Sequence, residues 1–256
     1  MTVHFRLVWA LFFAVCFGHA HAQTDAASPA KKYAVISLIG ESLTVTNFRF
    51  TTGSHLDTNA TEAMPMPDAR LDRAVLSAAD GAIKKMEPSA TVAMMEVLTL
   101  RDPAQQKQLF DGERFVPPDD VVLALKTAGA THVLLITKHR AEASFQAEQV
   151  SLGSGSVQGL GFYVDHQKRV RLSDTLETGV GFLAPHAFFM VSLIDVGTSR
   201  VLKQQAVTRS RLLGVSRNSE DLGPWGILTT QQKVQMLLDF IKRDVPSATQ
   251  KVMSPS

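Results

Sequence analysis

The chain has 256 residues, with 26 Lys and Arg against 24 Asp and Glu and a formal net charge of +2. So even a balance gives no field for steering toward nucleic acid, and no nucleic-acid partner is expected. The single cysteine, Cys16, lies in the amino-terminal apolar run, so no disulfide, thiol nucleophile or cysteine metal ligand is expected beyond it.

Residues 1–22 read as a cleavable export signal. Arg6 is the only Lys, Arg, Asp or Glu there, 7–17 are apolar, and Ala20-His21-Ala22 fits a small-x-small cleavage site before Gln23. The apolar run is shorter than the roughly 20 residues of a spanning helix, and no later run is long enough. Val15 precedes Cys16 where a lipoprotein signal wants a small residue, so no lipid anchor is expected. The expected location is a bacterial periplasm, with a flexible leader over 23–32, one domain over 33–247 and a tail over 248–256.

Tyr33-Ala34-Val35-Ile36-Ser37-Leu38-Ile39 is apolar and β-branched, and Gly40 ends it, which predicts a strand. Alternation through Leu43, Val45, Phe48 and Phe50 predicts a second, half-exposed strand with a bulge. Residues 51–65 read as a loop. Pro67-Asp68 opens the first long helix, with Leu71, Val75, Ala78, Ala82 and Met86 on one face and Pro88 as its stop. Residues 91–100 are nearly continuously apolar and predict a strand covered on both faces. A short helix is expected over 103–110, followed by a turn at Asp111-Gly112.

The best-punctuated stretch is 117–140. Pro117-Pro118-Asp119-Asp120 starts a helix with Asp119 as its cap, Val121, Val122 and Leu125 as its buried stripe, and Gly129 as its left-handed stop. Residues 131–137 form a buried strand that emerges from the core at Lys138 and Arg140. The segment 151–161 holds Gly153, Gly155, Gly159 and Gly161. A strand follows it at 162–164 where a phosphate-cradling loop needs a helix, so it reads as a flexible hairpin or insertion loop. Lys168-Arg169-Val170-Arg171 reads as a solvated strand edge, and 174–185 as irregular. Residues 186–196 and 200–211 form a hairpin around Gly197-Thr198-Ser199, with Asp195 as a turn residue. Gly223-Pro224-Trp225-Gly226 is a rigid turn. Val234, Leu237, Leu238 and Ile241 mark a closing helix that ends before Pro246. Together these predict an α/β (α+β) fold: one layer of mixed sheet, helices packed on it, and a carboxy-terminal helix closing it.

Ile39-Gly40-Glu41-Ser42-Leu43 resembles the first block of the GDSL (SGNH) esterases, with Glu41 in place of the family's aspartate. That resemblance implies Ser42 as a nucleophile served by a histidine. The family's later blocks are missing: no aspartate stands three residues before His55, His132, His139, His166 or His186, and there is no Gly-x-Asn-Asp. The expected role of Ser42 is a hydroxyl in a turn, and a small secreted serine hydrolase is the alternative. With no His-x-His and no His-Glu-x-x-His, no metal and no cofactor are expected. Trp225 is a candidate binding residue or a plug for the end of the core. Gly153 and Gly155 are binding candidates in the glycine-rich segment, which with 174–185 would form the lid of a small-ligand site.

Three segments together resemble a group of bacterial envelope domains: the periplasmic domain of the curli-secretion lipoprotein, the amino-terminal domain of the Tol-system propeller protein, and related accessory lipoproteins. They are Tyr33 to Leu38, Ala128-Gly129-Ala130-Thr131-His132-Val133-Leu134-Leu135-Ile136, and Leu193-Ile194-Asp195-Val196-Gly197-Thr198-Ser199-Arg200-Val201-Leu202. The resemblance implies a mixed sheet with helices on it and a role in binding other envelope proteins without catalysis. It carries over no site residue, because it lies in scaffold positions. The expected function is an exported binding or assembly module of the cell envelope, with envelope proteins as partners.

Overall fold

A computed structural model of the protein describes residues 30–40, 42–50, 58–66, 69–147, 150–171, 178–215 and 223–255. Its strands are β1 (Lys32–Ser37), β2 (Ser42–Asn47), β3 (Ala60–Pro65), β4 (Thr91–Met95), β5 (Phe110–Asp111), β6 (Arg114–Phe115), β7 (His132–Lys138), β8 (Arg140–Glu142), β9 (Phe145–Ala147), β10 (Val150–Leu152), β11 (Ser156–Arg171), β12 (Thr178–Asp195), β13 (Arg200–Ser210) and β14 (Leu213–Gly214). Its helices are α1 (Arg70–Met86), α2 (Pro103–Lys107), α3 (Asp119–Ala128), α4 (Gly223–Gly226) and α5 (Thr230–Met253). The fold is the mixed α/β class read from the sequence, a large mixed sheet closed by α5.

The sheet is built on β12. Along one edge β12 pairs antiparallel with β13 from His186 to Asp195. Along the other edge it has two partners in succession. Its carboxy-terminal half pairs with β7, and its amino-terminal half with β11. The change of partner is one residue wide: Phe189 pairs with Lys138, and Phe188 with Gly159. The Phe188 carbonyl also accepts from His139 N at 3.0 Å. From β7 the sheet continues to β1 and then β4, all parallel. From β11 it continues to β2, parallel, and then β3, antiparallel. Two branches that share one edge of a twisted strand cannot stay side by side, so the sheet splits.

Side-chain alternation assigns the faces. Val35, Leu43, Val45, Phe162 and Phe189 pack against α1 and α5 in the largest core cluster. Arg209 grips the buried Asp244 through Nε and Nη2, both at 3.1 Å, and so docks α5 on β13. On the opposite face, Ala34, Ile36 and Leu135 pack with Phe115 and with Val121 and Leu125 of α3. Beyond the split on that face, Tyr163, Phe182 and Phe188 pack with Phe145 and Leu152 of the β9–β10 ribbon. Gly129 ends α3 at φ 61, as read. In the β12–β13 turn, Asp195 Oδ1 accepts from Thr198 N at 2.7 Å and Thr198 Oγ1 at 2.6 Å. These bonds hold its carboxyl below the ordinary carboxylate range.

Several expectations are corrected. Residues 60–65 are strand β3: they are mostly exposed because they form an edge, and they are held by pairing with β2 along their whole length. Phe50 lies beyond the end of β2 and is exposed. Among the described residues β4 is an edge strand paired only with β1, so Met94 is 56% exposed and the run is not covered on both faces. The cap of α3 is Pro118, and Asp119 sits with Asp120 in the first turn, where the helix dipole favours acids. Residues 156–161 and 178–185 are paired strand, not loop, because β11 pairs with β8 at 156–158 and zips together with β12 from Gly159 on. α5 runs through Pro246 to Met253, so 248–253 are helix and not a tail; burial of Ala248 and Val252 offsets the lost backbone bond. Pro67-Asp68, 51–57 and 174–177 lie outside the described residues, as do 1–29.

Two contrasts test this packing. A Cβ on Gly161 would stand 1.9 Å from the Thr44 carbonyl oxygen, whereas one on Gly81, inside α1, would meet nothing within 4 Å. Gly161→Ala is expected to cost ~2 kcal/mol or more, and Gly81→Ala to stabilise by about 0.5–1 kcal/mol; urea midpoints measure both. His186 is fully buried, its ring centroid 5.5 Å from that of Phe188. Burial pushes its pKa down to about 4, while the Ala184 and Gln158 backbone groups pull the other way. Because the folded value lies below the ordinary 6.5, the unfolded chain binds more protons at mildly acid pH. Its contribution is therefore full above pH 6.5 and lost as pH falls toward 4. About 2 kcal/mol should disappear between pH 7 and 5, and His186→Phe should flatten that slope in urea titrations at each pH.

Candidate functional site

The split in the sheet forms a cleft. β1 and β7 run parallel and both end there, and β1 turns directly into β2 through Gly40. The turn is fixed from below by Asp72 of α1. Its Oδ1 accepts from Gly40 N at 2.9 Å and from Ser37 Oγ at 2.5 Å. A Cβ on Gly40 would stand 2.4 Å from Asp72 N, so glycine is required where the chain crosses the helix backbone. Gly40 is thus packed against α1, and Ser42 is the first residue of β2. Since Leu43 and Val45 face the helices, Ser42, Thr44 and Thr46 face the other way, into the cleft.

The cleft encloses about 650 Å³, within the roughly 300–1,000 Å³ of small-molecule sites. At its base Lys138 Nζ donates to Ser42 Oγ at 3.1 Å. The Lys138 stem passes Gly159, at φ 70, where a Cβ would come within 3.1 Å of Lys138 Cγ. One wall is β2–β3, with Thr46 Oγ1 3.5 Å from Thr61 Oγ1 and Ala63 beside them. The other wall is Thr137, Arg140 and the start of β11, Ser156 to Gln158; Arg140 Nε donates to Ser156 Oγ at 2.8 Å. Gln106 and Lys107 of α2 and Phe110 of β5 form the rim. Phe110 packs on the core cluster beside α3, and Val157 belongs to the cluster under the β9–β10 ribbon, so the cleft is braced by both.

The lining comprises hydroxyls, two amides and three cations, with no carboxylate and no imidazole among the described lining residues. It can donate to and accept from a polar ligand and can neutralise negative charge. Among the described residues no group of three or more His, Cys, Asp or Glu could hold a metal ion. No helix among them is long and apolar enough to cross a membrane.

Of the residues singled out from the sequence, Ser42 lies in the cleft; its neighbour there is a lysine and not the histidine the esterase resemblance requires. Gly153 and Gly155 do not line it. A Cβ on Gly153 would stand 2.3 Å from the Ala143 carbonyl oxygen, and the Gly155 carbonyl accepts from Ala143 N at 2.9 Å. Ser154 between them is bound from two sides: its amide donates to Tyr163 Oη at 3.2 Å, and its carbonyl accepts from Asn59 Nδ2 at 2.7 Å. The segment is tied down, not a free loop. Trp225 is 37% exposed and packs edge-on against Phe162 at 5.6 Å, on the helix-covered face. Lys233 Nζ stands 4.1 Å from the Trp225 ring centroid and donates to the Trp225 and Leu228 carbonyls, both at 2.7 Å.

Sequence reasoning missed Thr44, Thr46, Thr61, Lys138 and Arg140 as one site. The alternation of β2 and the emergence of the strand at Lys138 were both visible. Their convergence was not, because it depends on β7 and β11 meeting the same strand.

No protein-family model matches the chain, and no curated protein does. Among solved structures it is similar to a homologue of the neuraminyllactose-binding hemagglutinin from Helicobacter pylori, with 8% identity, 88% of this chain and 87% of that one covered, and a TM-score of 0.41. It is also similar to the PelC dodecamer from Paraburkholderia phytofirmans, with 17% identity, 86% and 88% covered, and a TM-score of 0.31. A Xanthomonas campestris protein shows 10% identity over 88% and 89%, with a TM-score of 0.33. With TM-scores this low, none of these proteins bears on what the cleft binds.

Proposed function

We propose that the protein is an exported binding module of the bacterial cell envelope, and that it holds its ligand in the cleft at the sheet split without doing chemistry on it. The observation that carries this is the lining: hydroxyls, amides and cations that can hold a polar group, with no histidine or carboxylate among the described lining residues to exchange a proton with it. The amino-terminal segment 1–22 supports export. The three segments that resemble the curli-secretion and Tol domains fall on β1, on the end of α3 with β7, and on the β12–β13 hairpin. Those strands are consecutive neighbours in the sheet, β1–β7–β12–β13, so the likeness covers one continuous run of it.

A second reading rests on the Lys138–Ser42 hydrogen bond. A lysine can replace histidine as the base for a serine nucleophile, so an esterase at Ser42 keeps a specific geometric support.

The two readings separate in experiment. With a photo-cross-linker at Thr61, on the cleft wall, the full chain in cells should capture its ligand from the periplasmic fraction. The same probe at Leu202, exposed on β13, should not. Equal capture from both, or retention of the chain in the cytoplasm, overturns the binding-module proposal. Labelling of folded protein by a fluorophosphonate, lost in Ser42→Ala, would establish the esterase instead.

A further inference from the structure

We infer that the outer edge of β3 receives an extended segment of a partner envelope protein as an added strand, with alternate side chains of that segment entering the cleft. The inference rests on the cleft being the binding site and adds how the partner is held.

β3 ends the sheet. It pairs with β2 over all six of its residues, and no other described strand pairs with it. Alternate residues of an antiparallel edge strand turn their N–H and C=O outward. Thr61 to Pro65 are all exposed, so among the described residues that row of donors and acceptors lies open. Donors and acceptors at strand spacing are matched group for group by another extended chain.

The edge also lacks the usual guards against pairing. Its register with β2 is unbroken from Ser42–Pro65 to Asn47–Ala60, it has no lysine or arginine, and its one charge is Glu62. β13, whose outer edge meets β6 only at Arg200, carries Arg200, Lys203 and Arg209 and a register shift. β4 is uncharged, but none of its residues lines the cleft.

The two faces of β3 set what the added strand must carry. Thr61 and Ala63 stand in the cleft wall. Glu62 and Met64 pair with Val45 and Leu43, which face the helices, so they lie on the helix side. A strand added to β3 has the same alternation. Every second side chain enters the cleft, and those between lie beside Glu62 and Met64, the latter 42% exposed. The segment that fits alternates polar residues, facing the hydroxyl and amide lining, with apolar ones beside Met64. A second copy of β3 does not fit, because its cleft-side residues, Thr61 and Ala63, are too short to occupy about 650 Å³.

The test places a photo-cross-linker singly at Thr61, Glu62, Ala63 and Met64 of the full chain in cells and maps the captured residues by mass spectrometry. All four positions should capture the same protein, and the captured residue should advance by one in its sequence for each step along β3. Of Glu62→Pro and Ala63→Pro, one removes an amide that points outward. That variant should keep the wild-type melting temperature and lose capture from the Thr61 probe at least tenfold; undiminished capture by both variants overturns the inference. The residue-by-residue ladder decides independently of whether the proline variants fold. Capture at Thr61 and Ala63 but not at Glu62 and Met64 overturns the added strand and leaves the cleft as the site of a compact ligand. Capture of a saccharide, or of a second copy of this chain, overturns it too. No capture from any of the four positions removes the cleft as the binding site as well.

Discussion

One edge of β12 is shared by two strands, and most of the molecule follows from that. β12 has 18 residues, a strand of about 60 Å at 3.3 Å per residue. β7 covers one half of that edge and β11 the other, with the change between Phe188 and Phe189. Each partner then recruits its own parallel neighbour, β1 or β2, and these two are consecutive in the chain. The short turn between them must bridge the two branches at the point where they part. That is why Asp72 is buried under Gly40 and why a side chain is not tolerated there.

Glycine recurs where the branches are pressed together, and its role is close approach more than flexibility. Gly161 lets β11 lie against the Thr44 carbonyl, and Gly159 lets the Lys138 stem cross the split. Gly179 does the same on the far side, where a Cβ would meet the Val215 carbonyl oxygen at 1.7 Å. A glycine count in a sequence signals freedom, but in a sheet it as often signals a neighbour too near for a methyl group.

Local order was legible and convergence was not. The strand read over 33–39, the helix-stop-strand run around Gly129 and the hairpin at Asp195 each carry their own punctuation, and each formed, the first over Lys32–Ser37. Elements stabilised only by a partner were misread. β3 has no apolar pattern and exists because β2 offers it an edge. The helix beyond Pro246 exists because the largest core cluster receives Val252 and Ala248. The cleft belongs to this second kind. Its residues come from β2, β3, α2, β5, β7, β8 and β11, and no spacing within any one of them points to the others.

Ser42 shows how the same residue reads differently at the two levels. In the chain it sits in a Gly-Glu-Ser-Leu string that resembles an esterase block. In the fold the glycine of that string is there for α1, and the leucine for the helix-side core. Among the described residues of the string, it is the serine that faces the cleft, where it accepts from Lys138 Nζ. A lysine that donates to the serine holds its own proton in that contact, and to act as base it would first have to lose that proton. In the contact as it stands, the pair places an ammonium and a hydroxyl side by side in the cleft lining.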